Sequence, residues 1–368
     1  MNAPRVRASD SNAHISMRVE RALATPRVMS PSEDEYFAQI ARALDANAAL
    51  PPCAKVARLA SQGKKRSKIQ VAVTSDLHCD MRPNAEAMEE YARREMLSCA
   101  NDTECVRVLV VAGDVGTSLA SIERALRGLR QSVDVLCYLP AGNHELWTSN
   151  TEPWATKDED IANRTRSEAW YACDSIGKMI RLMDLCTTLD VRCSPVVVGD
   201  VIIRPIYGWY SDDFDMCERE YTMHEARFDA AARWPSWIDR ENPRNSHAKG
   251  IGVFMSRVNE YLLRRSTLDV EASEVNASVT YSHFIPRLEL YRGTPTLLKV
   301  MGSRVIDDDL RRARRSTPSA TSHVHVFGHS HLNVDTHVDG VRYVQCALGY
   351  PHERWFGINY PKIVHVSA

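Results

Sequence analysis

Five short segments of this chain hold residue types that bind metal ions or move protons. They are Asp76-Leu77-His78, Gly113-Asp114, Gly142-Asn143-His144-Glu145, His283, and Gly328-His329-Ser330-His331. Carboxylate, imidazole and amide oxygen form a donor set for hard to borderline divalent ions (Mn, Fe, Zn or Mg) and not for soft Cu(I). In Asp76-Leu-His78 and His329-Ser-His331 one residue separates the two donors, which in extended backbone puts both on one side. Gly113, Gly142 and Gly328 stand where a chain turning beside a metal has no room for a Cβ. No cysteine holds a ligand-like position, except that Cys79 directly follows His78.

For these segments to meet, the elements before them must point them at one place. Ile69–Thr74, Val106–Ala112 and Val133–Leu139 are short, apolar and β-branched, which predicts buried strands. Helices are predicted between them at Asn84–Ala100 and Ser118–Arg130, and this βαβαβ rhythm argues for an α/β sheet with helical crossovers. A long helix is predicted over Arg164–Leu189, then strands at Pro195–Val198 and Val201–Tyr207. Helices at Glu218–Ala232 and Gly250–Arg265 follow, then strands at Ala277–Tyr281 and His323–Phe327. Asn333–Val338 and Val341–Cys346 flank Asp339-Gly340, a two-residue hairpin signal. Each donor segment lies at or just past a strand end, where open α/β sheets bind their ligands.

In order and placement the segments resemble the five motifs of the calcineurin-like metallophosphoesterase family: DxH, GD, GNH(E/D), a lone His and GHxH. The resemblance spans about residues 69 to 350. It implies an αββα sandwich of two mixed β-sheets flanked by helices, holding two divalent metal ions. Asp76, His78 and His331 would bind the first ion. Asn143, His283 and His329 would bind the second, and Asp114 would bridge the two. Two such ions ~3.5–4 Å apart clamp an in-line displacement at phosphorus, with a bridging hydroxide as nucleophile. His144 would stand beside the metals as general acid for the leaving oxygen. The implied activity is hydrolysis of a phosphomonoester or phosphodiester on a small molecule.

The chain departs from the family pattern at Thr117, three positions after Asp114. The family often has an acidic or amide residue there, and purple acid phosphatases a Tyr, so a tyrosinate-bound ferric site is not expected. Gly116-Thr117-Ser118 also lacks the Asp-Arg pair that protein Ser/Thr phosphatases carry after GD. Arg287, Tyr210 and Arg354 are candidate substrate contacts, an arginine being able to fork onto phosphate oxygens. His323 and His325 alternate as ligands do, but they lie inside a predicted strand and are expected to be packing residues. Arg311, Arg312, Arg314 and Arg315 are expected to form a solvated helix face.

The rest of the composition sets limits. Across 368 residues, 44% are hydrophobic and 25% charged, with a formal net charge of −1, which is ordinary for a globular chain. The balance gives no general attraction to nucleic acid. No apolar run approaches the ~20 residues of a membrane span. Ten cysteines without a CxxC pair suggest free thiols in a reducing, cytoplasmic setting. Arg5, Arg7, Arg18, Arg21 and Arg27 leave an organellar transit peptide as the alternative. Residues 1–66 are expected as an N-terminal extension, partly disordered or helical, with a helix at Glu33–Leu50 capped by Ser32. Residues 67–368 then form the catalytic domain, and about 150–275 of it an inserted, lid-like segment. Two other readings stand beside the small-molecule enzyme: a protein or nucleic-acid phosphoesterase, and a catalytically silent scaffold for protein partners. Substrate identity and oligomeric state are not fixed by the residues.

Overall fold

The computed structural model describes residues 31–61, 68–93, 104–148, 174–211, 214–215, 220–238, 247–266, 275–354 and 357–366. The apolar runs become strands β1 (Lys68–Thr74), β2 (Cys105–Val111) and β3 (Val135–Tyr138). All three are buried over nearly their whole length, as parallel strands covered on both faces must be. They run parallel to one another and to β4 (Val191–Arg192). The second sheet contains β5 (Val196–Val198), β6 (Val201–Pro205), β7 (Ala277–Tyr281), β8 (Ser322–Phe327), β9 (Val334–Val338) and β10 (Val341–Gln345). The last strand, β11 (Lys362–Val366), joins the first sheet antiparallel to β1. The orders are β11-β1-β2-β3-β4 and β5-β6-β7-β8-β10-β9. Both sheets are mixed: β11 is the antiparallel strand of the first, and in the second the hairpins β5-β6 and β9-β10 are antiparallel while β6, β7, β8 and β10 run parallel. Asp339 and Gly340 turn β9 into β10 with φ of 50° and 75°, the left-handed pair that their sequence predicts.

Helices flank the sheets, so the expected sandwich of two mixed sheets between helices is the fold observed. They are α1 (Glu33–Ala48), α2 (Ala54–Ser61), α3 (Arg82–Arg93), α4 (Leu119–Ser132), the one-turn α5 (Asn143–Leu146), α6 (Ser175–Thr188), α7 (Met223–Asp229), α8 (His247–Ser266) and α9 (Arg304–Arg315). One apolar cluster joins the sheets, with Ile69, Val108 and Leu136 from the first and Val279, Val326 and Val344 from the second, all buried. Each such side chain contributes about 1.5–3 kcal/mol on leaving water.

Several expectations shift. The helix expected at Glu33–Leu50 is α1, with Ser32 in a capping box, and it is built into the core. Tyr36, Ile40 and Leu44 are buried in the cluster, and Asn47 donates to Val191 O at 2.8 Å and accepts from Cys193 N at 2.9 Å. The stretch expected as an insertion supplies framework through α6, β4, β5 and β6, of which β6 pairs with β7. Residues 150–173, 212–213, 216–219, 239–246 and 267–274 of that stretch, residues 1–30 and 62–66 of the expected extension, and residues 94–100 of the first predicted helix lie outside the described residues. The arginines of α9 form the solvated face expected, with Arg312 and Arg315 exposed, and three of them are also paired. Arg311 pairs with Asp307 at 2.7 Å, Arg314 donates to Asp339 O at 2.8 Å, and Arg312 pairs with Asp309. Cys105 is disulfide-bonded, contrary to the free-thiol expectation, since irregular spacing hides pairing. Cys53, Cys79, Cys137, Cys186, Cys193 and Cys346 are free. No helix among the described residues is long and apolar enough to cross a membrane.

Candidate metal centre

The carboxyl ends of β1, β2 and β3 from one sheet, and of β7 and β8 from the other, release the five donor segments at one place. Backbone bonds zip the loops side by side. Asp76 N donates to Gly113 O, His78 N to Asp114 O, and Gly328 N to His283 O, at 3.0, 3.0 and 2.8 Å. Ser75 N donates to Cys346 O at 3.0 Å, tying the first sheet to the strand end of the second. Space there is tight. A Cβ on Gly113 would meet His283 Nδ1 at 2.8 Å, and one on Gly142 would meet Asp114 N at 2.7 Å. Gly113 also has φ of 84°. Gly142 has an ordinary φ of −76°, so it is required for space alone.

The backbone here is strained. Among the described residues, seven non-glycine positions have positive φ, and five of them are Asp76, His78, Asp114, His329 and His331. Asp and His enter that region more readily than most residues, yet at a cost.

The donors converge in three overlapping groups: Asp76, His78 and His331; His78, Asp114 and His144; Asp114, His283 and His329. Within each group the ligand atoms lie within 4.8 Å of one another. Asp76, His78, Asp114, Asn143 and His283 are at most 2% exposed. Asp76 Oδ1 accepts from His329 N at 2.8 Å and lies 3.6 Å from His331 Nε2. Asp114 Oδ1 accepts from His144 N at 2.9 Å and lies 3.4 Å from His283 Nε2.

The imidazoles are oriented from behind, as ligating histidines are. The Nδ1–H of His283 donates to Ala112 O at 2.9 Å, and the Nε2–H of His329 to Val300 O at 2.9 Å. His331 Nδ1–H donates to Glu353 Oε2 at 2.7 Å. Each ring therefore turns its other nitrogen, the one left to hold a proton or a metal ion, into the cluster. For His283 that nitrogen faces Asn143 Oδ1 at 3.0 Å and the Asp114 carboxylate, which are acceptors. For His331 it faces His78 Nε2 at 2.9 Å. Around His283, acceptor facing acceptor is repulsive unless a proton or a metal ion lies between them, whereas His78 can answer His331 by carrying its proton on Nε2. His78 Nδ1 is also buried with no hydrogen-bond partner among the described residues. The residues present fit divalent ions.

Charges in the cluster carry the same demand. Burial alone would lower the pKa of His283, but Asp114 overrides it and pushes it up to about 9. His331 is likewise raised against its burial by Glu353 and Asp76. Burial lowers His78, His144 and His329. Asp114, although fully enclosed, is held well below the carboxylate range by His283, His144 and His78.

Behind Asp114 sits Glu145. Its carboxylate accepts from Asp114 N at 2.8 Å, Val115 N at 2.7 Å and Tyr138 OH at 2.9 Å. Burial beside Asp114 pushes it up to about 8; a cation at Asp114 removes part of that push. His144 stands at the edge, with Nε2 4.0 Å from Asp114 Oδ2. Its Nδ1 meets Thr117 Oγ1 at 3.0 Å and its Nε2 meets Tyr350 OH at 3.2 Å. Its ring centroid is 4.2 Å from that of Trp147. Thr117, the departure from the family pattern, is thus the partner that orients His144. Asp80 accepts from the backbone amides of Thr117 and Ser118, fixing that loop.

Against this geometry the chain was compared with known proteins. No protein-family profile matches it, and no curated protein does. Among solved structures, the phosphopantetheinyl hydrolase PptH from Mycobacterium tuberculosis matches with a TM-score of 0.53 and 20% identity, over 81% of this chain and 96% of that one. The fold is similar to that of a hydrolase. At that identity the likeness is one of fold, and the chemistry must be argued from this chain's own residues.

The structure brings Asp76, His78, Asp114, Asn143, His144, His283, His329 and His331 together. It does not bring Arg287: the guanidinium is committed to Glu289, Asp307 and Asp339, none of them in the cluster. Tyr210 is fully buried and packed on Trp209, Phe228 and Phe284. Arg354 donates to Asn84 Oδ1 and to Leu348 O, so it braces the loop under Asp76. Cys79 belongs to none of the three donor groups, and burial keeps its thiol protonated. His325 is buried between Thr280 Oγ1 at 2.9 Å and Ser282 Oγ at 3.1 Å, the packing residue that its strand position implies. Tyr350, Glu353, Glu145 and Lys178 were given no role from the sequence. Only Glu145 lay in a motif; the others reach the site by tertiary contact, which spacing does not show.

Proposed function

We propose that the protein is a metal-dependent phosphoesterase that hydrolyses a phosphomonoester or phosphodiester of a small molecule. In this reading two divalent ions are held, one by Asp76, His78 and His331 and the other by Asn143, His283 and His329, with Asp114 shared. The observation that carries it is the convergence of buried Asp and His ligand atoms in three overlapping groups linked through His78 and Asp114, with Asn143 Oδ1 beside His283. The likeness in fold to a phosphopantetheinyl hydrolase supports the reaction class, and the substrate is left to this chain's own pocket. When bound, such ions lower the pKa of water and neutralise charge on phosphoryl oxygens.

The chain supplies the rest. Glu145 and the zipped loops hold Asp114 in its strained conformation, so its carboxylate needs no reorganisation on reaction. Burial lowers the pKa of His144, and an anionic phosphoester bound beside it favours its charged form; oriented through Nδ1 by Thr117, the imidazolium then gives its Nε2 proton to the leaving oxygen as the bond to phosphorus breaks. The Tyr350 hydroxyl, 3.2 Å from that nitrogen, marks where the leaving oxygen would lie.

Metal analysis of the purified chain tests this, paired with hydrolysis of p-nitrophenyl phosphate and its bis-ester with added Mn²⁺. The expected result is bound metal and Mn-dependent turnover, both lost in Asp114→Ala. A reconstituted chain that holds metal but turns over neither ester refutes it and favours a scaffold.

A further inference from the structure

We propose that Lys178 is a positioning residue for His144, its ammonium tying together the two loops that hold the imidazole. The inference rests on the phosphoesterase reading above. Lys178 lies on α6 and is 0% exposed. Its Nζ donates to Thr117 O at 2.5 Å and to Trp147 O at 2.6 Å. The side chains of these same two residues contact the His144 ring: Thr117 Oγ1 at Nδ1, and the Trp147 ring against its face. The two loops leave different strands, β2 and β3, and the ammonium spans them.

A lysine is rarely buried unless its ammonium is partnered, and burying a charge costs several kcal/mol. A methionine would fill the same volume without that cost. What it would not do is draw two carbonyls to one point. The helix carrying Lys178 is itself anchored. Asp174 caps it through Gly177 N at 2.8 Å and accepts from Tyr36 OH, while Ser175 Oγ donates to Leu146 O at 2.6 Å. The hydrogen bonds thus run from α1 through α6 to the cradle of His144.

The consequence depends on the leaving group. When the bond from phosphorus to the leaving oxygen breaks, its electron pair stays on that oxygen. An alkoxide must then take the proton of His144, whereas p-nitrophenolate leaves without one. A loosened His144 therefore slows alkyl esters and spares aryl ones.

The test uses the full chain reconstituted with Mn²⁺ and matched p-nitrophenyl and methyl esters, mono- or diester according to which the wild type takes. Lys178→Met is expected to lower kcat on the alkyl ester by about 10- to 100-fold, and on the aryl ester by less than about threefold, with metal content unchanged. His144→Ala sets the largest possible split. Thr117→Val, which removes one hydroxyl, is expected to show the same split, and the double variant to be little worse than either single one. It also carries the test should Lys178→Met fail to fold. In metal-free chain, the nitrogen-15 ring signals of His144, identified by their loss in His144→Ala, should be sharp in the wild type and broadened in Lys178→Met. Equal losses on both esters would mean a merely structural lysine and overturn the proposal. So would an unchanged ratio in both Lys178→Met and Thr117→Val with the wild type active. A wild type that holds metal yet cleaves neither ester removes the phosphoesterase reading, and this inference with it.

Discussion

Metal binding at the cluster should expel protons, and the structure says roughly how many. Without a metal, the repulsion between the His283 lone pair and its two oxygen neighbours is relieved by a proton. A pKa raised to about 9 keeps that ring mostly protonated at pH 7. A divalent ion needs the same lone pair, so its uptake releases about one proton from His283. Glu145, pushed up to about 8 by burial and Asp114, holds most of another until a cation neutralises Asp114. His78, His144 and His329 are kept neutral by burial and release none. His331, raised against its burial by Glu353 and Asp76, adds part of a further proton, so the expected release at pH 7 is about one to three protons per chain. The sign follows: protons compete with metal, so affinity rises with pH by about tenfold per unit per proton, or ~1.4 kcal/mol, and levels off above about pH 9. Calorimetric titration of metal-free chain with Mn²⁺, in buffers of different ionisation enthalpy, counts the protons directly. Metal binding without proton release at pH 7, and with affinity flat from pH 6 to 8, would refute the reasoning.

Three further outcomes follow from the geometry. Glu145→Gln turns an amide NH₂ toward one of three converging donors. It should cost about 2 kcal/mol, lowering Tm by roughly 3 °C, and should reduce metal content; an unchanged melting curve would show that the carboxylate is not what holds Asp114. Gly142→Ala places a Cβ 2.7 Å from Asp114 N, so calorimetry should find about 1–3 kcal/mol lost together with metal affinity. Arg287→Ala breaks an ion network remote from the cluster; kinetics should show unchanged kcat/KM and denaturation at most about 1 kcal/mol of lost stability.

Much of the centre was legible because its parts are local. Asp76-Leu-His78 and His329-Ser-His331 carry their spacing in the sequence, and the strands before them are unbroken apolar runs with little other reading. What stayed hidden depends on distant pairing. β4 is two residues long, too short for any period. β11 lies past the last motif and shows its role only by pairing with β1. The framework role of 174–210 was masked because β5 and β6 are short, and α6 is followed at once by strand. Arg287 and Arg354 looked suited to phosphate by residue type, but a guanidinium takes whichever acceptors the fold presents, and here those are Asp307, Asp339 and Asn84. Tyr350 and Glu353 lie beside Arg354 in sequence, and it is they that reach His144 and His331.

The left-handed backbone at Asp76, His78, Asp114, His329 and His331 bears on how such a chain can change over time. At each of these positions glycine would adopt the same conformation freely. A substitution that abolishes the chemistry there also relaxes the chain. At Asp76 and Asp114 that relief is set against the buried hydrogen bonds they accept from His329 N and His144 N, so the strain is held in place by the contacts of the same side chains.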